Sequence, residues 1–421
     1  MLDSAAMPQR VRKRLVLYCP GYDPMAETRY RRLIGTGLAQ LRRRFGIARN
    51  IGPLQRDDAV PSIRWGISAG NASWHTETDY EVLLWDDLVH RDFSRGWFAR
   101  LPLLFGALIE ALRGGVIQKL FRLNWHFAAF VIYPWVALLV LVLGALLIGV
   151  AIAWPIAWAL SLSGLVEVAL AVALALALLK LFEPRIRKAF VYHLLYGWIF
   201  SWQLAAGRRP EFEGRLDAFA RRVAAAIRET DAEEVLIVGH STGTTVAVEV
   251  AARALALDPE LARHGPALAL LTIGSCLPVV GFVRTADRLR RHIARLASDA
   301  SLLWVEYQAP QDVLNAFGFD PVRDLDLDLG GAARINPIIR SARFKETILP
   351  STYRRMRWNF FRVHFHFLMP NEIPGEYDYP MIVCGPVSLA DRIADPAAAV
   401  RAAYGTEPGR AHQSPQSAAA L

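Results

Sequence analysis

The longest uncharged stretch of the sequence is the feature that most restricts how this chain can fold. Between Phe127 and Leu179 there is no basic residue and no aspartate, and the only acid is Glu167. Helices of soluble proteins rarely continue this far without charge, and the stretch is too long for a single bilayer crossing. It predicts two transmembrane helices, at about residues 127–150 and 157–180. A buried pair of helices in a soluble core is the alternative.

Basic residues border this stretch on both sides and predict its orientation. They are Arg113, Lys119 and Arg122 before it and Lys180, Arg185, Arg187 and Lys188 after it. Lysine and arginine are enriched on the cytoplasmic side of membranes. The opening residues MLDSAAMPQRVRKR lack the apolar core of a secretory signal. We therefore expect a two-span protein of the inner (cytoplasmic) membrane with its soluble halves in the cytoplasm. The turn between the spans is expected at Trp154-Pro155 or at Ser161–Gly164.

Two aromatic-rich segments flank the proposed spans. The first, Trp97–Trp125, mixes apolar residues with spaced arginine and lysine, as amphipathic helices at a membrane surface do. The second contains Phe190, Tyr192, Tyr196, Trp198, Phe200 and Trp202. Tryptophan and tyrosine prefer the headgroup zone of a bilayer. Residues 97–203 are therefore expected to form a membrane insertion, and a lipid bilayer is an expected partner.

A strand, a sharp turn and a helix are predicted between Glu233 and Leu255. Val235–Val238 is a short apolar run typical of a buried strand, and small apolar residues recur at helical spacing after Gly243. The five residues between are Gly239, His240, Ser241, Thr242 and Gly243, which fit the pattern G-x-S-x-G. In that pattern the serine occupies a strained turn that exposes its hydroxyl, and the glycines leave room for the turn. A glycine-rich turn with an idle serine is the alternative.

The G-H-S-x-G turn resembles the α/β-hydrolase superfamily of lipase and esterase type. Gly21-Tyr22-Asp23-Pro24 and the later segment GEYDYPMIVCGP resemble a poorly characterised group of bacterial hydrolases within it, here with an inserted transmembrane hairpin. The resemblance implies an α/β fold, with a mostly parallel sheet flanked by helices and a serine nucleophile at Ser241. It also implies the chain order serine, acid, histidine for the catalytic residues.

That order directs the search for the acid to loops after downstream strands. The segment LLWVEYQAPQD ends in Asp312, five residues after a predicted strand, and Asp312 is the preferred acid. Asp320 is the alternative. Beyond these acids only His364, His366 and His412 remain, and His412 lies in a polar tail.

His364 is the preferred general base, and His366 is the alternative. Histidines two residues apart share one face of a strand, so both could also ligate a metal. Because no cysteine or acid lies at a ligand-like spacing from them, no metal is expected.

The first predicted strand, Arg14–Cys19, runs directly into Pro20-Gly21-Tyr22. In the superfamily, the loop after such a strand donates one backbone N–H to an oxyanion hole, and the residue after the nucleophile donates the other. The resemblance therefore implies Tyr22 and Thr242 as donors. This chain has Pro20-Gly21 where the family commonly has His-Gly, and a plain turn without function is the alternative.

These assignments divide the chain into four segments. Residues 1–96 and 204–394 are expected to form the two parts of one hydrolase domain, separated by the membrane insertion 97–203. Surface connections of α/β sheets tolerate such insertions. A further strand is expected at Tyr80–Leu88. The tail 395–421 is rich in Ala, Pro, Ser and Gln and is expected to be disordered.

The net charge of +9 includes the arginine clusters 29–32 and 42–44. Such clusters bind nucleic acid or anionic lipid, and the proposed spans favour lipid over nucleic acid. Cys19, Cys276 and Cys384 suit neither a zinc site nor a disulfide framework, so they are expected to be reduced thiols. No cofactor is implied. The sequence favours a membrane-anchored serine hydrolase of carboxylic esters, with lipid or long-chain acyl substrates. An acyltransferase using the same triad and an inactive membrane scaffold are the alternatives.

Overall fold

The structure is a computed structural model that describes residues 10–263 and 265–405, apart from the side chains of Trp97 and Phe98. The chain divides into two compact units. The sheet unit runs up to Ser94 and resumes at Leu204, and the hairpin unit is Arg95–Gln203. The sequence-based boundaries were 97 and 203.

The sheet unit is built on one sheet, to which the described residues contribute nine strands. They are β1 Lys13–Cys19, β2 Ala48–Ile51, β3 Gln55–Asp57, β4 Ser62–Gly70, β5 His75–Leu83, β6 Glu234–His240, β7 Ala267–Ile273, β8 Leu303–Gln308 and β9 Ile338–Ser341. Their spatial order is β2-β4-β5-β1-β6-β7-β8-β9, with β3 paired to β4. All neighbours from β5 to β9 are parallel, whereas β4 is antiparallel to β2, β3 and β5. The sheet is therefore mixed and mostly parallel.

Helices flank this sheet and make up the hairpin unit, so the molecule is an α/β fold. In chain order they are α1 Ala26–Phe45, α2 Asp86–Ser94, α3 Trp97–Arg113, α4 Val116–Leu123, α5 Trp125–Ala159, α6 Gly164–Lys188, α7 Val191–Ala205, α8 Pro210–Glu229, α9 Gly243–Leu257, α10 Leu277–Gly281, α11 Asp287–Ser298, α12 Phe344–Thr347, α13 Pro350–Met356, α14 Phe360–His364, a 3-10 helix Phe365–Leu368, α15 Tyr379–Cys384, α16 Leu389–Ala394 and α17 Pro396–Tyr404.

The central strand β1 is buried because both faces of the sheet are covered. Val16 and Tyr18 lie in one core cluster with Tyr30 and Ile34 of α1. Side chains alternate along a strand, so Leu17 points to the opposite face, and it is equally buried. The apolar run expected of a strand buried on both faces is thus present in β1.

The order of the strands determines where a site can form. The chain starts at β1, places β5 on one side of it, and then continues with β6 on the other side. Parallel strands end at the same edge of a sheet, and ligands of open α/β sheets bind in the crevice beside the strand where the order reverses. The loops after β1, β6, β7 and β8 therefore meet at one edge.

The hairpin unit contains two helices long and apolar enough to span a membrane, α5 and α6. Within the described residues, α3 and α4, which are bent by 63° at their junction, can be counted together as a third span. The turn between α5 and α6 is the later of the two predicted positions. Pro155 lies inside α5, and α6 begins at Gly164 rather than near 157. Proline is tolerated in membrane-spanning helices.

The two long helices pack closely through small residues. Ala145, Gly149 and Ala153 of α5 are buried at intervals of four residues. A Cβ added at Gly149 would overlap the backbone oxygen of Ala171 in α6, so glycine permits this close approach. In α7, Trp198 is buried and its indole N–H donates to the Val131 oxygen at 2.7 Å. Trp198 therefore packs against α5 inside the hairpin unit, and its predicted place in the headgroup zone stays a prediction.

Two further expectations differ from the structure. The strand predicted at Tyr80–Leu88 ends at Leu83, and Asp86 begins α2, where the helix dipole favours an acid. The tail predicted to be disordered from residue 395 forms α17, whose end docks because Tyr404 donates a hydrogen bond to Asp378. An alanine-rich segment has high helix propensity once packing holds it. Residues 406–421, with His412, lie outside the described residues.

Candidate active site

Ser241 occupies a strained turn between β6 and α9. Its φ is +59°, in the left-handed region that residues other than glycine rarely adopt. Two contacts hold this conformation. The backbone N–H of Ser241 donates to the backbone carbonyl of Ile273 at 3.1 Å. The backbone carbonyl of Ser241 accepts from the Thr244 hydroxyl at 2.7 Å. Backbone strain that the surrounding contacts maintain is concentrated at functional sites, so it motivates a functional hypothesis for Ser241.

The two glycines of the turn are in close contact with backbone atoms. A Cβ added at Gly239 would lie 2.6 Å from the Gly243 oxygen, and one at Gly243 would overlap the oxygens of Cys19 and Pro20. Any side chain at either position would displace the turn or the loop after β1. The glycines thus allow the helix that follows Ser241 to approach the end of β1.

A buried histidine and a buried aspartate form the second part of the site. His364 Nδ1 lies 2.6 Å from Asp312 Oδ2, and the other oxygen of Asp312 accepts from the Leu314 N–H at 2.9 Å. Asp312 follows β8 in the loop at the site edge, and His364 ends α14. Because Nδ1 is engaged, Nε2 is the nitrogen left for chemistry. Among the described residues, Nε2 has no hydrogen-bond partner.

Two contacts place His364 beside the Ser241 turn. The ring centroids of His240 and His364 are 4.6 Å apart. A Cβ added at Gly274, the residue after β7, would lie 3.2 Å from His364 Cε1. Ser241, Asp312 and His364 are thus brought to the same sheet edge from three parts of the chain. Ser241 Oγ is not hydrogen-bonded to His364 among the described contacts. It lies instead 3.6 Å from Cys276 Sγ.

Cys276 is a site residue that the sequence analysis did not single out. It follows β7, is partly buried, and its Sγ also lies 3.3 Å from the Leu314 oxygen. Burial raises the pKa of this thiol to about 12, although its contact with Ser241 acts to lower it, so Cys276 is a neutral thiol near pH 7. The sequence could have indicated Cys276 as a site residue, because it lies in the loop after β7, at the same sheet edge as Ser241.

His240 packs against His364, whereas the sequence assigned it only to the turn. Its buried ring contacts His364 and Phe365, and neither ring nitrogen has a hydrogen-bond partner among the described residues. Burial, and then the nearby His364, lower the pKa of His240 well below its ordinary value. His240 is therefore uncharged near pH 7, and its ring packs against the His364 ring.

The loop after β1 lies against Ser241. A Cβ added at Gly21 would be 3.3 Å from Ser241 Cβ and 3.7 Å from its Oγ. The loop is fixed in part by Tyr22, whose hydroxyl donates to Asp92 at 2.9 Å, and Arg209 pairs with the same carboxylate at 2.7 Å. On the other side of Ser241, Thr242 caps α9, where the first amides have no acceptor within the helix.

The two alternative residues are engaged elsewhere. Asp320 pairs with Arg334 at 2.8 Å, and although burial acts to raise its pKa, that pairing and backbone N–H groups hold the pKa below its usual range. His366 packs edge-on against Phe344, and burial, then Arg44 and Arg362, lower its pKa to about 4. His364 ends α14 and His366 lies in the 3-10 helix that follows, so the two do not share a face as they would on a strand.

Within the described part of the chain, no three His, Cys, Asp or Glu side chains are grouped as metal ligands. Comparison with protein-family models, curated proteins and solved structures finds no match to this chain. Any functional conclusion therefore depends on the geometry of the site. An uncharged hydroxyl, an imidazole with one free nitrogen and a carboxylate on the other nitrogen are the components of nucleophilic catalysis.

Proposed function

We propose that this protein is a membrane-anchored serine hydrolase of the α/β-hydrolase type that cleaves carboxylic esters. One observation carries the proposal: Ser241 is held at a left-handed φ beside a buried His364–Asp312 pair whose Nε2 has no partner among the described residues. Ser241 is the nucleophile, His364 the general base and Asp312 the group that orients the imidazole.

The reaction proceeds through two acyl transfers. Ser241 Oγ forms a bond to the ester carbonyl carbon and gives its proton to His364 Nε2. The carbon–oxygen bond to the alcohol then breaks, and the alcohol leaves with that proton. A water molecule loses a proton to Nε2, attacks the acyl-enzyme and releases the acid, and Oγ regains a proton. Asp312 accepts from Nδ1–H throughout, which stabilises the imidazolium. Before the first step, the Ser241 hydroxyl would turn from Cys276 Sγ, which lies 3.6 Å away, toward Nε2.

Backbone amides supply the negative-charge stabilisation in this proposal. The N–H groups of Thr242 and Tyr22 would donate to the oxyanion. Gly21 allows the loop after β1, which contains Tyr22, to lie against Ser241. Removing one oxyanion donor typically raises the activation free energy by about 2.7–4 kcal/mol.

The test of the proposal is covalent labelling by a fluorophosphonate, which traps an activated serine. The full chain in mild detergent should be labelled, and Ser241→Ala should lose the labelling. Ser351→Ala is the matched control, because Ser351 is exposed on α13. Labelling that persists in Ser241→Ala would place the nucleophile elsewhere, and a wild-type chain that is never labelled would indicate an inactive scaffold.

The long apolar helices support lipid or long-chain acyl esters as the substrate class. A substrate that reaches the site from water gains about 0.8 kcal/mol of binding for each CH₂ it buries, and a bilayer held nearby would supply long-chain esters without their crossing water. We therefore expect kcat/KM for p-nitrophenyl esters in liposomes to rise steadily with acyl length. A maximum at acetate or butyrate would show that the anchor serves location alone.

A further inference from the structure

One exposed surface of the sheet unit combines arginine with tryptophan. The chain between Ile348 and Asn371 has no acid and four arginines, at 354, 355, 357 and 362. We define the Arg–Trp surface as Leu349, Arg354, Arg355, Arg357, Trp358, Phe360 and Arg362, all of them exposed. Leu349 immediately precedes α13, and the others lie on α13, on α14 and in the turn between these helices.

Trp358 is far more exposed than the other tryptophans of the sheet unit. Trp358 is 76% exposed, whereas the other four tryptophans of the sheet unit are at most 5% exposed. Leu349 and Phe360 add exposures of 45% and 42%. Exposed apolar side chains grouped with one charge sign mark an interaction site rather than an ordinary surface.

The local structure holds Trp358 outward. Met356 in α13 and Val363 in α14 are buried and anchor both helices, and the Asn359 side chain accepts from the Arg362 N–H to begin α14. Trp358 lies in the short turn between these anchors. The Arg357 guanidinium is 5.2 Å from the Trp358 ring centroid, so a cation and an aromatic ring point outward together.

The chemistry of the surface matches a membrane of anionic lipid. None of the four arginines forms an ion pair with a described residue, so their charges are available for an external anion. Clustered arginines bind anionic headgroups, and tryptophan prefers the boundary between headgroups and acyl chains. A nucleic acid would satisfy the arginines but would offer no hydrocarbon for Leu349.

We propose that the Arg–Trp surface docks onto anionic phospholipid headgroups. The inference rests on the membrane anchoring proposed above, because α5 and α6 would keep a bilayer at high effective concentration near the sheet unit. It does not require ester hydrolysis. Because α14 ends at His364, docking would bring the site edge to the lipid from which an ester could enter.

Hydrogen–deuterium exchange of residues 349–362 tests this contact without measuring activity. The full chain is placed in nanodiscs of phosphatidylcholine, with or without phosphatidylglycerol. Exchange should slow when phosphatidylglycerol is present. Arg354→Gln/Arg355→Gln/Arg357→Gln should lose that difference, and Trp358→Ser should reduce it. Arg221→Gln/Arg291→Gln/Arg401→Gln should retain it, because it removes three exposed arginines of other helices.

The outcomes separate the possible partners. Slower exchange with phosphatidylglycerol in wild type and the control variant, but not in the first variant, supports docking. Equal exchange in both lipid compositions would overturn it. Protection by added polyglutamate and not by phosphatidylglycerol would also overturn it, since the surface would then bind an acidic polypeptide. Fluorophosphonate labelling of Ser241, measured on the same samples, reports separately on the proposed hydrolase activity.

Discussion

His364 and His366 are two residues apart, yet their surroundings give them different chemistry. His364 Nδ1 is hydrogen-bonded to Asp312 at the site edge. Its Nε2 has no hydrogen-bond partner among the described residues. His366 is buried against Phe344, where burial and two arginines lower its pKa to about 4. A base that must accept a proton near pH 7 needs the first environment.

We expect His364→Ala to lower kcat at least about 100-fold, because general-base catalysis contributes roughly 10²–10⁴. His366→Ala should retain most of kcat once folding is accounted for by its thermal melting temperature. Turnover of a p-nitrophenyl ester in detergent is the measurement. If His366→Ala were the more damaging change at equal stability, the role of base would pass to His366.

Glu306 in β8 is a buried carboxyl that the proposed reaction does not use. Gln308 Nε2 donates to it at 2.7 Å, and its other oxygen lies 3.2 Å from the Thr272 hydroxyl. Burial raises the pKa of Glu306 to about 7, against these hydrogen bonds. The folded state therefore holds a proton that the unfolded state releases near its ordinary pKa. Stability from this group is present at low pH and is lost as pH rises from about 4.5 to about 7.

Glu306→Gln should remove this loss, because its amide can accept from Gln308 and donate to Thr272. Relative to wild type, the free energy of unfolding should improve by up to about 3 kcal/mol between about pH 5 and about pH 8. Denaturant unfolding in mild detergent at both pH values measures it. Glu229→Gln, at an exposed position of α8, is the control and should show little pH-dependent difference. Equal changes in both variants would contradict a buried, protonated Glu306.

At the scale of elements, the turn after β6 depends on how closely α9 approaches the end of β1. The first residue of α9, Gly243, lies against the carbonyl groups of Cys19 and Pro20, and Gly239 lies against Thr244. The register supports this approach, since Cys19 pairs with Gly239 across the two parallel strands. The loop after β1 and the Ser241 turn thus form one packed structure.

Gly243→Ala should therefore displace that loop and disable the site. Overpacking of this kind typically costs about 1–3 kcal/mol, and we expect a lower melting temperature together with lost fluorophosphonate labelling. Gly214→Ala is the matched change, because Gly214 lies inside α8 with nothing near a Cβ. It should stabilise by up to about 1 kcal/mol and keep the labelling. Full labelling of Gly243→Ala would show that the close approach is unnecessary.

The two units of the molecule differ in whether their apolar residues are buried or exposed. The sheet unit buries its apolar residues in a core around β1, whereas α5 and α6 expose theirs, including Leu147 and Leu165. Apolar helices with such exposed surfaces are stable in lipid, which supports membrane association. Basic residues before α5 and at the end of α6 favour the cytoplasm for both parts of the sheet unit.

The expected topology can be measured in intact cells. A reporter fused after Leu421 that is active only in the cytoplasm should be active. Ser163→Cys, in the turn between α5 and α6, should react with a membrane-impermeant maleimide added from outside. The wild-type chain is the background: Cys19 and Cys384 are buried, and any reaction of the partly buried Cys276 occurs equally in both chains. Labelling of Ser163→Cys only after lysis would contradict this topology.

Sequence patterns were sufficient where the interactions are local. The uncharged run predicted α5 and α6, and the apolar runs predicted β1, β6 and β8, because helices and buried strands depend on periodicity over a few residues. The G-x-S-x-G pattern predicted a strained turn, and Ser241 has the expected left-handed φ. The alanine-rich tail misled, because composition does not report whether a helix such as α17 will find a surface to dock on.

Tertiary structure alone decided which distant groups meet. Asp312 and His364 are 52 residues apart, and the sequence left Asp320 and His366 as alternatives to them. The contact of Cys276 with Ser241, the His240 ring against His364 and the outward position of Trp358 were likewise not predictable from spacing. These contacts depend on which strand ends lie side by side and on what each loop packs against. Local propensity contains no information about the order of the strands or about what each loop contacts, because both depend on how the whole sheet packs against its helices.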